Sequence, residues 1–299
     1  MSKVLVTGAS GHIGRLTLEK LLDRRPASEL LGLVRDPAKA RELAARGIEL
    51  RQGDYLDKAS LLRAFEGVDR LMLTSTHAFT DRKTAHANAI DAAAEAGIGH
   101  IVYMPIIRKE GSDFSMRQVT EEDIFSEQRI VSSGLTYTFV KHPPFLDTMT
   151  PFLGVAMLEK GVRVPAGDGK TGPATRADLA EAHAAVLTGS GHENKSYVLT
   201  GSPAVSFSDI AAILSQMTGE TVPYVAVSDQ DYVDARIAEG LPEFVARFLL
   251  GWVQGMNRGE WDQQTGDLEA LLGRAPTTTE QYLRQALSAM RRSRHALAP

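Results

Sequence analysis

Seven residues near the start of the chain, GASGHIG at 8–14, join an apolar run to a segment with helical spacing of Ile13, Leu16, Leu21 and Leu22. Gly8 permits a tight turn, Gly11 lets the backbone approach a pyrophosphate, and Gly14 lets helix and strand pack closely. A helix N-terminus at this point offers unpaired N–H donors and the positive end of a dipole, so Ser10, His12 and Ile13 complete a phosphate cradle. The next apolar run, LLGLV at 30–34, ends in Arg35, Asp36 and Pro37. A carboxylate at that strand end suits the ribose hydroxyls of NAD, whereas a guanidinium suits a 2′-phosphate. Arg35 therefore points to NADP(H), with Asp36 read as the N-cap ahead of Pro37. Asp54 is placed to accept from the adenine amino group, with Tyr55 packed beside it. Thr74, Ser75 and Thr76 are expected to line the channel toward the nicotinamide ribose.

Residues able to move a proton are fewer. The chain has no cysteine, which excludes disulfides, thiol catalysis and thiolate metal sites. It has no GxSxG elbow and no HxxxH pair, so neither a hydrolase nor a metal site is expected. Tyr103 is followed four residues on by Ile107, and Tyr137 by Lys141, but on an apparent strand. His142 is the candidate acid: it follows the sixth strand-like run, at the sheet edge where open α/β folds bind ligands, and imidazole donates near neutrality. Lys141 is expected to contact a cofactor hydroxyl or phosphate, with Pro143 beside it. Pro105, Phe145, Trp252 and Met256 are expected to shape a substrate pocket. The acidic run Glu121, Glu122 and Asp123 reads as a solvated helix start.

Strand-like runs alternate with helical patterns through the first half: KVLVTG, LLGLV, IELRQGD, DRLMLTS, GHIVYM and LTYTFVK. This rhythm predicts right-handed βαβ crossovers, a parallel sheet and the doubly wound order 3-2-1-4-5-6 of a Rossmann-type α/β fold. PAKARELAAR reads as one alanine-rich helix. After HPPF the rhythm changes, and SFSDIAAILSQMTG reads as a helix with Ser206 and Asp209 at capping-box spacing. Residues 1–150 are expected to form the NADP-binding domain. Residues 151–299 are expected to form a smaller substrate-binding lobe, with the chain crossing back to the sheet. A net charge of −4 argues against nucleic acid. No apolar run suggests a membrane span, and the opening strand pattern leaves no room for a signal peptide, so the expected setting is cytoplasmic. The basic run RRSRH at 291–295 reads as a solvated helix end. A homodimer is one assembly the sequence allows.

Several phrases (TGASGHIG, LVRDPAKARELAARGIELRQGDYLD, GVDRLMLTST, GDGKTGPATRADLAEA, SYVLTG and LLGRAPTTTEQYL) together resemble the NmrA-like branch of the atypical short-chain dehydrogenases. Within that branch the chain is similar to bacterial NAD(P)H:quinone and triphenylmethane dye reductases. The resemblance implies a bound NADP(H) and hydride transfer to a small electrophilic acceptor. Many relatives carry a serine or threonine after the fifth-strand aromatic, where this chain has Met104 and Pro105. Several carry a Glu-Lys pair in the next helix, where Glu127 precedes Gln128, and an Arg-Asn or Arg-Pro phrase where Lys141, His142 and Pro143 stand. A hydride donor and an aligned, desolvated pocket suffice for an acceptor that is already electrophilic. The leading expectation is thus an NADPH-dependent reductase of quinone-like or other conjugated electrophiles. A dinucleotide-binding redox sensor without turnover is the alternative.

Overall fold

The structure, a computed structural model, describes residues 2–154 and 156–296, with side chains through Ser288. Among these residues nine strands form two sheets: β1 Val4–Val6, β2 Leu30–Val34, β3 Glu49–Gln52, β4 Arg70–Leu73, β5 His100–Tyr103, β6 Tyr137–Lys141, β7 Val162–Pro165, β8 Lys195–Val198 and β9 Tyr224–Val227. The large sheet runs β3-β2-β1-β4-β5-β6-β8, with every pair parallel. The expected doubly wound order is present, and the C-terminal half adds a seventh strand beside β6.

Strand residues alternate between two cores because successive side chains point to opposite faces. Val4 and Val6 join Leu18, Met72, Val102 and Val140 on one face, while Leu5 joins Leu31, Leu71 and Ile101 on the other. Burial on both faces explains why these strands read as continuous apolar runs. The helix Arg176–Thr188 packs on the helix His12–Leu22 on the first face, so residues 176–199 return to the large sheet. The helices Arg82–Glu95 and Thr120–Ser132 cover the second face.

A third core lies between the sheet edge and the remaining C-terminal elements. It gathers Val162 and Val164 of β7, Ile210 and Leu214 of the helix Phe207–Thr218, and Val253 and Met256 of the helix Glu243–Asn257. Ile106, Ile107 and Met149 belong to it too, so the third core grows directly out of the sheet edge. The Ser206–Asp209 capping box forms as the spacing suggests.

PAKARELAAR departs from expectation. It folds as a 3₁₀ turn, Pro37–Ala40, followed by a short α-helix, Arg41–Ala45. The break falls at Ala40, whose φ of −129° is not helical. Asp36 caps the turn by accepting from the Ala38 N–H at 3.0 Å. The final helix, Thr279–Ala296, runs through RRSRH, whose side chains lie outside the described residues. Among the described residues no helix is long and apolar enough to cross a membrane.

Candidate cofactor and acceptor site

The glycine loop is built by close contacts. Gly8 has a φ of +60°, and a Cβ there would stand 2.5 Å from Thr74 Oγ1. A Cβ on Gly14 would stand 2.5 Å from the Gly8 carbonyl oxygen, so the helix start is locked against the loop. Gly11 is the extended N-cap of the helix His12–Leu22 and offers no side-chain acceptor to its first N–H groups. Ser10, Gly11 and His12 are exposed and Ile13 is half-buried. Open donors over a backbone that tolerates no side chain are the requirements of a pyrophosphate cradle. The loop therefore fits a dinucleotide.

Beside Ala9 a polar, solvent-open cleft is bordered by Arg15, Lys39 and Arg41. Arg15 is committed to Glu19 and Glu42. Arg35, exposed at the end of β2, makes no ion pair among the described residues, and neither do Lys39 and Arg41. Sequence reasoning singled out Arg35 alone. Lys39 and Arg41 are brought to one cleft by the 3₁₀ turn, which the reading of PAKARELAAR as one helix concealed.

The polar residues after β3 and β4 divide into two kinds. Asp54 Oδ1 accepts from the Leu56 N–H at 2.9 Å, which makes a local turn. Tyr55 donates to the Thr74 carbonyl at 3.0 Å, and burial pushes its pKa up to about 12. Thr74 does not line a channel: it is buried, donating to the Thr7 carbonyl at 2.9 Å and accepting from no solvent-facing group. Its N–H donates to Thr7 Oγ1 at 2.8 Å, so the pair rivets β4 to β1. Ser75 and Thr76 are half-buried, Ser75 reaching the Met104 carbonyl at 3.3 Å.

At the ends of β5 and β6 the chain presents backbone and burial rather than acids. Pro105 is buried, accepts from the His142 N–H at 2.8 Å, and does not line the apolar cleft described below. The expected place for Pro105 in the substrate pocket is thus corrected. His142 is only 3% exposed. Burial, with His183 adjoining, holds its pKa well below the usual histidine range, so it is a neutral ring rather than a general acid near neutrality. Pro143 is buried, and Lys141 is half-buried near Glu127. Glu127 pairs with Arg108, while Gln128 is exposed.

Asp123 contradicts its reading as part of a solvated run. It is buried, bonded to Arg82, and accepts from Tyr103 Oη at 2.6 Å and from the Ile106 N–H at 2.8 Å. The signal was present in the spacing: Asp123, Ser126 and Ile130 share the buried face of their helix.

The second candidate surface is an apolar, solvent-open cleft whose walls include Phe145, Phe152, Phe207, Trp252, Met256 and Trp261. Three of the four expected pocket residues meet there. Trp252 and Trp261 lie 4.8 Å apart, and the Arg176 guanidinium sits 4.8 Å from the Phe145 ring. No acidic or basic side chain is part of the lining.

Residues 8–190 match the NAD(P)H-binding family model. This chain belongs to that NmrA-like, NAD(P)H-binding family. It is 37% identical over 277 residues to quinone oxidoreductase 2 of Escherichia coli, covering 92% of this chain and 95% of that one. An NAD(P)H azoreductase of Xenophilus azovorans is 34% identical over 81% of this chain and 83% of its own length. Among solved structures, the Citrobacter sp. triphenylmethane reductase complexed with NADP(H) superposes with a TM-score of 0.89 at 32% identity, covering 95% of this chain and 100% of that one.

Two outcomes follow from the geometry. Gly11→Val places a branched side chain over the cradle while its Cβ meets only the Gly8 carbonyl, at 3.2 Å. Calorimetry should find NADPH binding lost in a variant whose circular dichroism is unchanged. The buried histidines His86, His142 and His183 have depressed pKa values, each with burial as the leading cause. The unfolded chain takes up protons below about pH 6.5 while the native rings stay neutral. Stability is therefore full above that pH and falls on acidification, by up to about 1.4 kcal/mol per pH unit for each ring. Urea midpoints should drop between pH 7.5 and 5.5, and less steeply in His183→Gln. A flat midpoint would contradict the burial argument.

Proposed function

We propose that this NAD(P)H-dependent oxidoreductase is an NADPH-preferring reductase of neutral, flat, conjugated electrophiles of the quinone kind. The observation that carries the reading is the apolar, aromatic cleft opening just beyond the end of β6, with no charged residue in its lining. NADPH, when bound, supplies the hydride. The names of the quinone oxidoreductase, azoreductase and dye reductase relatives support a reductase and leave the acceptor open.

The chain's own residues bind, orient and exclude water. The glycine loop and the open helix start take the pyrophosphate. Lys39 and Arg41 on the polar cleft, with Arg35 at the end of β2, draw the 2′-phosphate. Phe145 and Trp252 present ring faces and edges against which a planar acceptor stacks, an arrangement aromatic pairs favour. Because no acid stands in the cleft, the proton that completes quinol formation comes from water at its mouth. Arg176 over Phe145 sets the sign of preference: it repels a cationic dye and favours an acceptor that gains negative charge.

Cofactor choice is the first test. A charge-assisted contact contributes about 1.5–3 kcal/mol, so NADPH should bind roughly ten- to a hundredfold more tightly than NADH. Arg35→Ala should remove most of that difference with little change for NADH. Equal affinities in the wild type would defeat the assignment. Steady-state turnover across acceptors tests the substrate class. A neutral naphthoquinone should exceed a cationic triphenylmethane dye at least about tenfold in kcat/KM, and Arg176→Ala should narrow the gap. Faster reduction of the dye by the wild type would sink the proposal.

A further inference from the structure

The apolar cleft has one side chain in its lining that ends in a hydroxyl, Thr171. The residue is 3% exposed, and its Oγ1 is buried with no hydrogen-bond partner among the described residues. Its backbone, by contrast, is fully committed. The Thr171 N–H donates to the Val205 carbonyl at 3.1 Å, and the Thr171 carbonyl accepts from the Val205 N–H at 2.8 Å. This exchange is an antiparallel bridge, in which directly opposed side chains stand on the same face. Val205 lines the cleft, and so does Pro173, two residues on from Thr171. Gly172 between them faces the other way: a Cβ there would stand 2.2 Å from the Gly201 carbonyl oxygen. Neighbours along the chain and across the bridge therefore agree in turning the Thr171 side chain to the cleft. The far end of the segment is fixed too, where Ala174 bridges Phe145 and its carbonyl accepts from the Leu146 N–H at 2.9 Å. The hydroxyl itself is tied to nothing and turns about the Cα–Cβ bond without losing a partner.

Folded proteins rarely leave a buried hydroxyl unpaired, and a ligand is one means of completing it. Sites for small molecules set a few polar groups in an apolar wall, and those groups fix the orientation of what binds. A neutral conjugated electrophile of the quinone kind carries lone pairs on its oxygens and brings no donor of its own. A hydroxyl on the wall supplies the donor it lacks.

We propose that Thr171 Oγ1 donates a hydrogen bond to a carbonyl oxygen of the acceptor and so selects carbonyl-bearing electrophiles in the cleft. The inference rests on the reading of the cleft as the acceptor site. NADPH gives its hydride to the quinone, which becomes the quinol monoanion, and water gives the proton; Thr171 keeps its own. The bond strengthens as negative charge gathers on that oxygen, so it favours the transition state over the bound quinone.

The test compares indanone with indane, two flat bicyclic molecules of the same shape that differ by one carbonyl. Calorimetry on the NADP⁺-loaded protein gives the affinity ratio of ketone to hydrocarbon. Thr171→Val, which puts a methyl group in place of the hydroxyl, should lower that ratio about five- to thirtyfold, and Thr171→Ser should keep it near the wild-type value. With naphthoquinone as acceptor, kcat/KM of the valine variant should fall about tenfold or more, through kcat more than KM. Its thermal midpoint should hold or rise, because an unpaired buried hydroxyl contributes no stabilising bond. A clear drop in that midpoint would reveal a structural bond and overturn the proposal. An unchanged ratio or unchanged naphthoquinone kinetics in Thr171→Val, with the wild type still turning over the quinone, would give the carbonyl to another donor, such as a tryptophan indole, and overturn this inference alone. If the wild type neither binds indanone nor reduces naphthoquinone, the acceptor-site reading falls and this inference with it.

Discussion

A carboxylate with 1% exposure, Asp123, gathers groups from three separate elements: Arg82 from one helix, the Tyr103 hydroxyl from β5, and the Ile106 N–H from the segment beyond it. Burial raises its pKa and Arg82 opposes that shift, so neither ion is tolerable without the other. Removing one partner of such a pair typically costs about 3–5 kcal/mol, because the remaining charge is left dry. The geometric consequence matters more. With Ile106 tied from below, residues 104–107 lie across the ends of β5 and β6, and the Pro105 carbonyl is delivered to the His142 N–H. This stretch supplies only backbone and apolar surface. Its role is to set the floor on which the rest of the cleft stands.

The opposite wall has its own anchor. Asp178, in the first turn of the helix Arg176–Thr188, accepts from the Thr277 N–H at 2.8 Å and from Arg274 at 2.7 Å. These bonds join the ATRADLA phrase to GRAPTTT across 96 and 99 residues. The helix fixed in this way carries Arg176 onto Phe145 at its start and His183 onto His142 two turns later. One element thus sets the charge beside the cleft and covers the buried ring below it.

The legible parts of the sequence were those governed by local rules. Strand positions followed from apolar runs, the glycine loop from backbone sterics, and Asp36 and Ser206 from capping distances. What stayed hidden was decided by contacts distant in sequence. Thr74 reads as a channel residue until β1 is laid beside β4 and Thr7 takes its hydroxyl. His142 reads as an acid until a helix from forty residues downstream covers it. Lys39 and Arg41 reach the polar cleft beside Ala9 only because Ala40 breaks the helix between them. Asp123 differs, since helical periodicity already placed it with Ser126 and Ile130, and the acidic neighbours Glu121 and Glu122 masked that signal.

Together these features define an economy of charge at the cleft. The sheet edge has spent its polar side chains internally: Thr74 on Thr7, Asp123 on Arg82, Glu127 on Arg108. The cleft beyond them is lined, Thr171 apart, by carbon and aromatic faces. In such a low-dielectric space a bare charge is costly to admit, and two opposite charges in contact attract strongly. Hydride transfer between neutral partners creates such a contact pair, an anionic product against a cationic nicotinamide, whose mutual attraction offsets part of the cost of forming charges away from water. A cationic acceptor reverses the balance, because it enters charged, beside Arg176, with no carboxylate in the lining to receive it. On the proposed function, a cleft with neither a protein acid nor a carboxylate therefore suits a neutral quinone better than a cationic acceptor.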